Sequence, residues 1–171
     1  GISGDKTESN WGSSDMWVVK IDSAGVKQWD KRVGGSGDEL LSSIVETIDN
    51  GYILGGSSNS GISGDKTQDN WDIARIYHDM WVIKIDSVGN KVWDKKYGGL
   101  EEDGLYRIVK TIDGGYLLGG GSYSHVGGDK TEDTNGGWDY WIVKIDSTGN
   151  KEWDKSYGGT GLEAGTIIAQ T

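Results

Sequence analysis

The stretch Asp79–Gly99, DMWVIKIDSVGNKVWDKKYGG, decides the fold of this chain because it occurs three times. The first copy is Asp15–Gly35, DMWVVKIDSAGVKQWDKRVGG, and the third is Asp139–Gly159, DYWIVKIDSTGNKEWDKSYGG. The leading tryptophan recurs at steps of 64 and 60 residues, at Trp17, Trp81 and Trp141. Regular recurrence indicates a supersecondary unit that is stabilised by stacking on its neighbours.

Each copy of this stretch predicts two β-strands. Residues 16–22, MWVVKID, alternate between the two faces and are rich in β-branched side chains, which favours a strand. The Asp-Ser-x-Gly segment that follows has turn chemistry, since Asp and Ser bond nearby backbone groups and Gly adopts positive φ. Residues 26–33 are predicted to form the second strand.

Two more strands are predicted between successive copies. Residues 39–48 could form a short helix by composition, but the aligned copies carry β-branched runs, so we predict a strand. A tight Asp-Asn-Gly turn at 49–51 leads into the return strand 52–58. Each repeat therefore has four strands in a meander, named A (39–48), B (51–58), C (79–86) and D (91–98).

The expected fold is all-β, with blades of the β-propeller type. A period of about 60 residues containing four short strands suits one propeller blade of four antiparallel strands. The chain would hold about two and a half repeats: a partial blade at 1–38, complete blades at 39–98 and 99–158, and the start of another at 159–171. Neighbouring blades or chains are then expected to complete the propeller or a fibre.

The double-glycine strands GYILGG and GYLLGG, followed by a variable loop and a strand ending in Asp, resemble kelch-type blades. The D-S-x-G-x-x-x-W element resembles the hairpin of quinoprotein-like propellers. Taken together, the repeats are similar to arrays in secreted or surface-anchored bacterial and archaeal proteins. That resemblance implies a non-catalytic extracellular or cell-surface role. The Arg usual near the start of kelch strand A is missing, so kelch partner binding is not implied.

The composition argues against several classes of function. The net charge is −10 and no basic stripe exists, so we expect no nucleic-acid partner. No run approaches the roughly 20 apolar residues of a membrane helix, so no membrane insertion is expected. The chain has no cysteine, which excludes disulfides and thiol catalysis.

The long polar insertion between strands B and C carries a recurring Gly-Asp-Lys-Thr motif. Hard cations prefer several oxygen ligands, and carboxylates spaced three to four residues apart in a Gly-rich loop could supply them. The alternative is an Asx-type turn with solvated charges. The candidate calcium ligands are Asp5, Asp65, Asp69, Asp129 and Asp133.

Each insertion also carries a tryptophan, at Trp11, Trp71 and Trp138. A tryptophan among polar residues could stack on a glycan or seat a protein partner. The alternative is that each tryptophan covers its own long loop. The tryptophans of strands C and D are instead expected to pack blade against blade.

Catalysis has little support in the sequence. The two histidines, His78 and His125, lie at non-equivalent positions, and no nucleophile elbow is present. The acidic run 101–103 could serve as glycosidase acids but is interpreted as a solvated surface. We therefore expect a structural, adhesive or protein-interaction module and no enzyme. A calcium-dependent carbohydrate- or protein-binding propeller is one alternative, and a fragment of a propeller enzyme is another.

Overall fold

The computed structural model describes residues 2–163, 168 and 169 and is all-β over those residues. Every strand pairing is antiparallel. The strands are β1 (Met16–Ile21), β2 (Lys27–Val33), β3 (Glu39–Glu46), β4 (Tyr52–Ser58), β5 (Asp79–Ile85), β6 (Lys91–Tyr97), β7 (Asp103–Lys110), β8 (Tyr116–Ser122), β9 (Asp139–Ile145) and β10 (Lys151–Tyr157).

The strands form two complete meanders and one hairpin. Strands β3 to β6 make one four-stranded sheet in sequence order, β7 to β10 make the second, and β1 pairs with β2 alone. The predicted strands A to D and their meander connection are thus confirmed. Of the predicted further repeat at 159–171, residues 164–167, 170 and 171 lie outside the described residues. Among the residues that are described, no helix is long and apolar enough to span a membrane.

The turn between strands C and D is closed by its aspartate. Asp86 Oδ1 accepts hydrogen bonds from the N–H groups of Val88 and Asn90, at 2.9 and 2.8 Å. Gly89 has a φ of 88°, a conformation that glycine adopts without a steric penalty. The same carboxylate geometry recurs at Asp22 and Asp146, so the Asp-Ser-x-Gly prediction is confirmed.

The core lies between successive repeats. In one cluster, Met16 and Val18 of β1 pack with Trp81, Ile83 and Ile85 of β5. In the other, the opposite face of β5 packs against β7 and β9. Strand β5 is therefore buried at every residue, because it has a neighbour on both faces. We call the contact between two successive repeats a joint.

The double glycine of strand B allows close approach at the joint. A Cβ at Gly55 would overlap Ile108 and lie 2.5 Å from Leu105 Cδ2 of the next repeat. A Cβ at Gly56 would overlap the carbonyl oxygen of Leu40 in the neighbouring strand. The glycine pair is thus required by the close packing at the joint.

Serines tie the innermost strands of adjacent repeats together. Ser42 Oγ donates to the carbonyl oxygen of Leu105 at 2.6 Å, and Ser43 Oγ accepts from the Ile108 N–H at 3.1 Å. Ser42 occupies a β-bulge in β3, which turns its hydroxyl toward β7. Strands β3 and β7 consequently lie side by side.

Candidate functional site

The Gly-Asp-Lys-Thr insertion folds back on the outermost strand of its own repeat. Asp94 of β6 accepts hydrogen bonds from the Thr67 N–H at 2.9 Å and the Thr67 hydroxyl at 2.8 Å. The same carboxylate accepts from Trp81 Nε1 at 3.1 Å and from Lys91 Nζ at 2.9 Å. We call this arrangement the aspartate lock.

The aspartate lock is present in all three repeats. Burial alone would raise the pKa of Asp94, but the hydrogen bonds from Thr67, Lys91 and Trp81 outweigh burial and lower it. The carboxylate therefore stays ionised at neutral pH. The equivalent locks are centred on Asp30, bonded by Thr7, Trp17 and Lys27, and on Asp154, bonded by Thr131, Trp141 and Lys151.

The residue after the threonine covers the free edge of strand D. Gln68 Oε1 accepts the Lys96 N–H at 2.9 Å. Glu132 and Glu8 make the equivalent bond in the third and first repeats, at 2.9 and 3.1 Å. An unpaired edge N–H invites pairing with another chain, so the insertion protects the sheet edge.

The aspartate of the same motif reaches the preceding repeat. Asp129 Oδ2 accepts from Trp71 Nε1 at 2.9 Å, Lys96 Nζ at 3.0 Å and the Gly98 N–H at 3.3 Å. Its own N–H donates to the Gly98 carbonyl at 2.8 Å. Lys96 Nζ also lies 3.9 Å from the Trp71 ring centroid, in a cation–π contact. Asp129 thus clamps one repeat to the next.

The first joint has a related clamp. The Asp65 N–H donates to the Gly34 carbonyl at 2.8 Å, and Asp65 Oδ2 accepts the Gly34 N–H at 3.2 Å. Burial raises the pKa of Asp65. Arg32 stacks on the Trp11 ring, with its guanidinium carbon 3.2 Å from the centroid.

The five predicted calcium ligands are not brought together. Asp65 and Asp129 lie in separate joints, and the Asp5 carbonyl accepts Lys27 Nζ. Asp69 faces Arg75 at 3.5 Å, and Asp133 accepts from His125 at 2.6 Å. Over the described part of the chain, no group of three or more His, Cys, Asp or Glu side chains is arranged to hold a metal. Calcium binding stays a prediction.

The three predicted tryptophans occupy two different kinds of position. The N–H groups of Trp11, Trp71 and Asn135 each donate to the aspartate that begins strand C. Asn135 is therefore the third-repeat equivalent of Trp11 and Trp71. Trp11 and Trp71 are 49 and 43 % exposed and contact the following repeat. The alternative interpretation of the sequence was that each tryptophan covers its own loop.

Trp138 instead belongs to an aromatic cluster. Its ring centroid lies 4.9 Å from that of Tyr123 and 6.3 Å from that of Tyr106. Tyr106 and Tyr123 are 42 and 39 % exposed. The Trp138 ring also fills the space beside Gly104 and Gly121 of the sheet beneath it. This half-exposed surface, Tyr106, Tyr123 and Trp138, is called the aromatic cluster below.

Sequence reasoning missed a buried pair of acids at the joint. Asp79 and Asp103 are both 0 % exposed, so the interpretation of 101–103 as a solvated run was wrong for Asp103. Asp103 Oδ2 accepts the Gly99 N–H at 2.6 Å and the Ser124 hydroxyl at 2.9 Å. A Cβ at Gly98 would overlap Asp79 Oδ1 and lie 3.0 Å from Asp103 Oδ2. The two carboxyl groups therefore share one small space.

Their environment favours the protonated form. Burial raises the pKa of Asp79 to about 6, against the hydrogen bond from the Trp71 N–H and the charges of Lys96 and Lys66. Burial raises the pKa of Asp103 to about 7, with a further contribution from the charge of Asp79. Oδ1 of each side chain has no hydrogen-bond partner. Near neutral pH the pair is expected to hold a proton.

A sequence signal for these acids was available. An Asp or Glu stands four residues after the second glycine of each pair, and an Asp begins each strand C. Glu39 is 2 % exposed and accepts the Gly35 N–H, while Asp139 and Glu163 flank Gly158. Fixed spacing could have predicted the pairs, but burial could not be read from residues that are ordinarily exposed.

The fold and its joints define a class: an all-β protein built from stacked four-stranded meanders that are linked by recurring polar locks. No family model matches the chain. The chain is similar to the regulatory protein FlaEY of Caulobacter vibrioides, with 28 % identity over 141 residues. That alignment covers 81 % of this chain but only 15 % of FlaEY.

The aspartate lock predicts a large stability loss for Asp94→Ala. Removing the carboxylate leaves the Trp81 N–H and the Thr67 donors without a partner in a buried site, which typically costs about 3–5 kcal/mol. Urea unfolding measures the change. The control is Asp69→Ala, which removes an exposed carboxylate and should cost less than about 0.5 kcal/mol. Equal losses in the two variants would contradict the lock.

The buried acid pair predicts stability that falls as the pH rises from about 5 to 7.5. The folded pKa values of Asp79 and Asp103 lie above their unfolded values, so the folded state binds more protons in this range. His78, whose pKa is raised by Glu102, acts in the same direction. Each group costs about 1.4 kcal/mol per pH unit between its unfolded and folded pKa. Urea unfolding at both pH values measures the slope.

The matched variant is Asp103→Asn, which mimics the protonated carboxyl group. It should be about as stable as the natural chain at pH 5 and more stable at pH 7.5, with a shallower slope. An unchanged slope would show that Asp103 does not hold the proton.

Proposed function

We propose that this chain is a segment of a β-propeller-type repeat array that acts without catalysis, as a structural, adhesive or protein-interaction module outside the cell or at its surface. The observation that carries the proposal is the use of the insertion loops. In a ligand-binding or catalytic protein such loops present free polar groups. Here the side chains are hydrogen-bonded within the fold: Thr67 to the aspartate lock, Gln68 to the edge of strand D and Asp129 to the preceding repeat.

The geometry of neighbouring sheets supports the propeller part. The innermost strands β3 and β7 lie side by side, and hydrogen bonds from Ser42 and Ser43 link them. Each joint then continues outward to the last strand, where the Trp93 ring lies 2.9 Å from a Cβ placed on Gly149. Sheets in contact from the innermost to the outermost strand are typical of propeller blades.

The histidines support a role without catalysis. His78 is paired with Glu102 at 3.0 Å, and His125 with Asp133 at 2.6 Å. The two pairs do not lie beside a nucleophile among the described hydrogen bonds. The similarity to FlaEY spans only 15 % of that protein, which fits repeats embedded in a larger protein. The resemblance to surface arrays supports the extracellular placement.

An added repeat tests the array. A copy of residues 99–158 fused after Gly158 should raise the free energy of unfolding by at least about 2 kcal/mol, because it would bury Trp153 and Tyr157. Tryptophan emission should shift to shorter wavelength. The control is a Gly/Ser-rich tail of the same length. If the added repeat stabilises the chain no more than the tail does, the array proposal fails.

A second candidate function is recognition of a carbohydrate or an apolar protein side chain at the aromatic cluster. Tyr106, Tyr123 and Trp138 expose ring surface above the sheet at the start of β7 and the end of β8. Aromatic side chains that combine a ring face with a polar tip are favoured in recognition surfaces. Binding at the aromatic cluster does not require calcium.

Glycan-array binding tests this candidate. The natural chain should retain a defined set of glycans, and Tyr123→Ala should lose them at least about tenfold while keeping its unfolding midpoint. Tyr77→Ala, which removes a tyrosine of similar exposure outside the cluster, is the control. Retention of the same glycans by both variants would reject the aromatic cluster as their site.

A further inference from the structure

The second repeat carries extra residues that the fold does not require. The Trp71 N–H donates to Asp79, eight residues further along the chain. Trp11 and Asn135 make the equivalent bond to an aspartate only four residues further along. The first and third repeats thus close the same part of the insertion with the shorter spacing. The span 72–78 reads DIARIYH in the second repeat, where the first repeat has GSS at 12–14.

The extra residues present apolar side chains to solvent. Ile73 is 87 % exposed, Ile76 is 69 % exposed and Tyr77 is 41 % exposed. We call these three side chains the apolar turn. An apolar side chain gains nothing for the fold at such exposure, and exposed apolar side chains that lie together commonly mark an interaction site.

The backbone of the apolar turn is held in one conformation by Asp72. Asp72 Oδ1 accepts the Ala74 N–H at 2.9 Å, and Oδ2 accepts the N–H groups of Ile76 and Tyr77 at 2.8 and 3.1 Å. Burial alone would raise the pKa of Asp72, but these hydrogen bonds outweigh burial and lower it. The carboxylate is therefore ionised at neutral pH and presents the apolar side chains on an ordered loop.

Arg75 fastens the apolar turn to the rest of the insertion. Its φ is 56°, a conformation that is strained in residues other than glycine. Its guanidinium covers Gly61, because a Cβ on Gly61 would overlap it, and Arg75 Nη2 lies 3.5 Å from Asp69 Oδ1. Ile62, the next residue after Gly61, is 69 % exposed and extends the apolar surface.

The exposure of the apolar turn is a property of the middle repeat. All four strands of this repeat are described, and so are the insertions on either side of it, 2–14 and 123–138. The segment that follows the turn is paired with the third repeat, since the Asp103 N–H donates to the His78 carbonyl at 2.7 Å. The apolar turn is thus exposed although its neighbours on both sides are present.

The groups around the apolar turn are mainly acidic. Asp69 faces Arg75, Glu102 accepts the His78 N–H at 2.9 Å, and the charge of Asp38 acts on His78. Together with Asp72, four carboxylates therefore stand against one guanidinium and one histidine. The whole chain carries a net charge of −10. A partner with basic groups around an apolar centre would complement this surface.

We propose that the apolar turn is a docking site for a segment of another protein that carries apolar anchor side chains flanked by Lys or Arg. Ile73 and Ile76 would bury their side chains against the anchors, and the surrounding carboxylates would face the basic residues. A second copy of this chain would bring the same acidic groups into contact, and an anionic membrane would be repelled. This inference rests on the proposed protein-interaction role and assigns that role a site.

Selection from a random-peptide phage library tests the docking site. The library is selected on the natural chain and counter-selected on a loop-swap variant in which 72–78 are replaced by Gly-Ser-Ser, the sequence of the first repeat. Enriched peptides should combine aliphatic or aromatic residues with Lys or Arg. The proposal is overturned if no peptide distinguishes the two proteins, or if the enriched peptides are acidic.

Titration of a selected peptide by fluorescence polarisation locates its site. Ile73→Ser and Ile76→Ser should each weaken binding at least about tenfold. The control is Ile48→Ser, which changes a fully exposed isoleucine at the opposite end of β4 and should leave binding unchanged. Raising the salt concentration from about 0.05 to 0.5 M should weaken binding, because it screens the charges. Equal affinity for Ile73→Ser and the natural chain would contradict the proposal.

The loop-swap variant should keep its urea midpoint, because two repeats already close the insertion with the shorter span. If circular dichroism shows that it is unfolded, the double variant Ile73→Ser, Ile76→Ser replaces it in the counter-selection.

The other occupants are tested with the same pair of proteins. Co-sedimentation of the natural chain, but not of the loop-swap variant, with phosphatidylcholine vesicles would reject a protein partner in favour of a membrane. Self-association that the loop swap abolishes would reject it in favour of a second copy. Failure of the docking site would leave the array proposal standing, because the added repeat tests the array independently.

Discussion

The structure depends on one interaction, the buried carboxylate of strand D that is held by four donors. In the second repeat Asp94 joins the threonine of the insertion, the tryptophan of strand C and a lysine of its own strand. A carboxylate at 5 % exposure is stable only because the charge is fully hydrogen-bonded. In return it fixes the Trp81 ring against the preceding repeat and anchors a long polar loop on the sheet edge. The same carboxylate thus fixes both the packing of the tryptophan and the conformation of the loop.

This constraint changes how the polar insertions are understood. A motif rich in Asp, Lys and Thr suggests a site open to solvent, but in the second and third repeats its side chains are bonded within the fold. The threonine completes the lock, the next residue caps an edge N–H, and the aspartate crosses to the preceding repeat. The exposed surface with room for a partner lies elsewhere, at the aromatic cluster. Because each repeat contacts only its neighbours, stability is expected to grow with each joint added.

The buried acid pairs lower the stability of those same joints when both carboxyl groups are ionised. Asp79 and Asp103 share the space that Gly98 leaves open, where Asp79 accepts a hydrogen bond from the Trp71 N–H and Asp103 accepts from the Gly99 N–H and the Ser124 hydroxyl. A buried carboxyl pair of this kind is tolerated when one member carries a proton. The stability of a joint is therefore expected to depend on the pH of its surroundings. Array stability and pH response arise from the same few residues.

The sequence by itself determined the local structure. Period-two alternation, the Asp-Ser-x-Gly and Asp-Asn-Gly turns and the threefold recurrence were sufficient for the strands, their order and the meander, because these depend on residues close together in the chain. Tertiary structure alone decided the rest. Whether Asp129 is a ligand or a clamp depends on Trp71, Lys96 and Gly98, which lie about half a repeat or more away. Asp103 is buried, against the expectation of a solvated run, because burial of an acid depends on what packs over it. Trp138 is not equivalent to Trp71, since Asn135 makes the hydrogen bond that Trp71 makes in the second repeat.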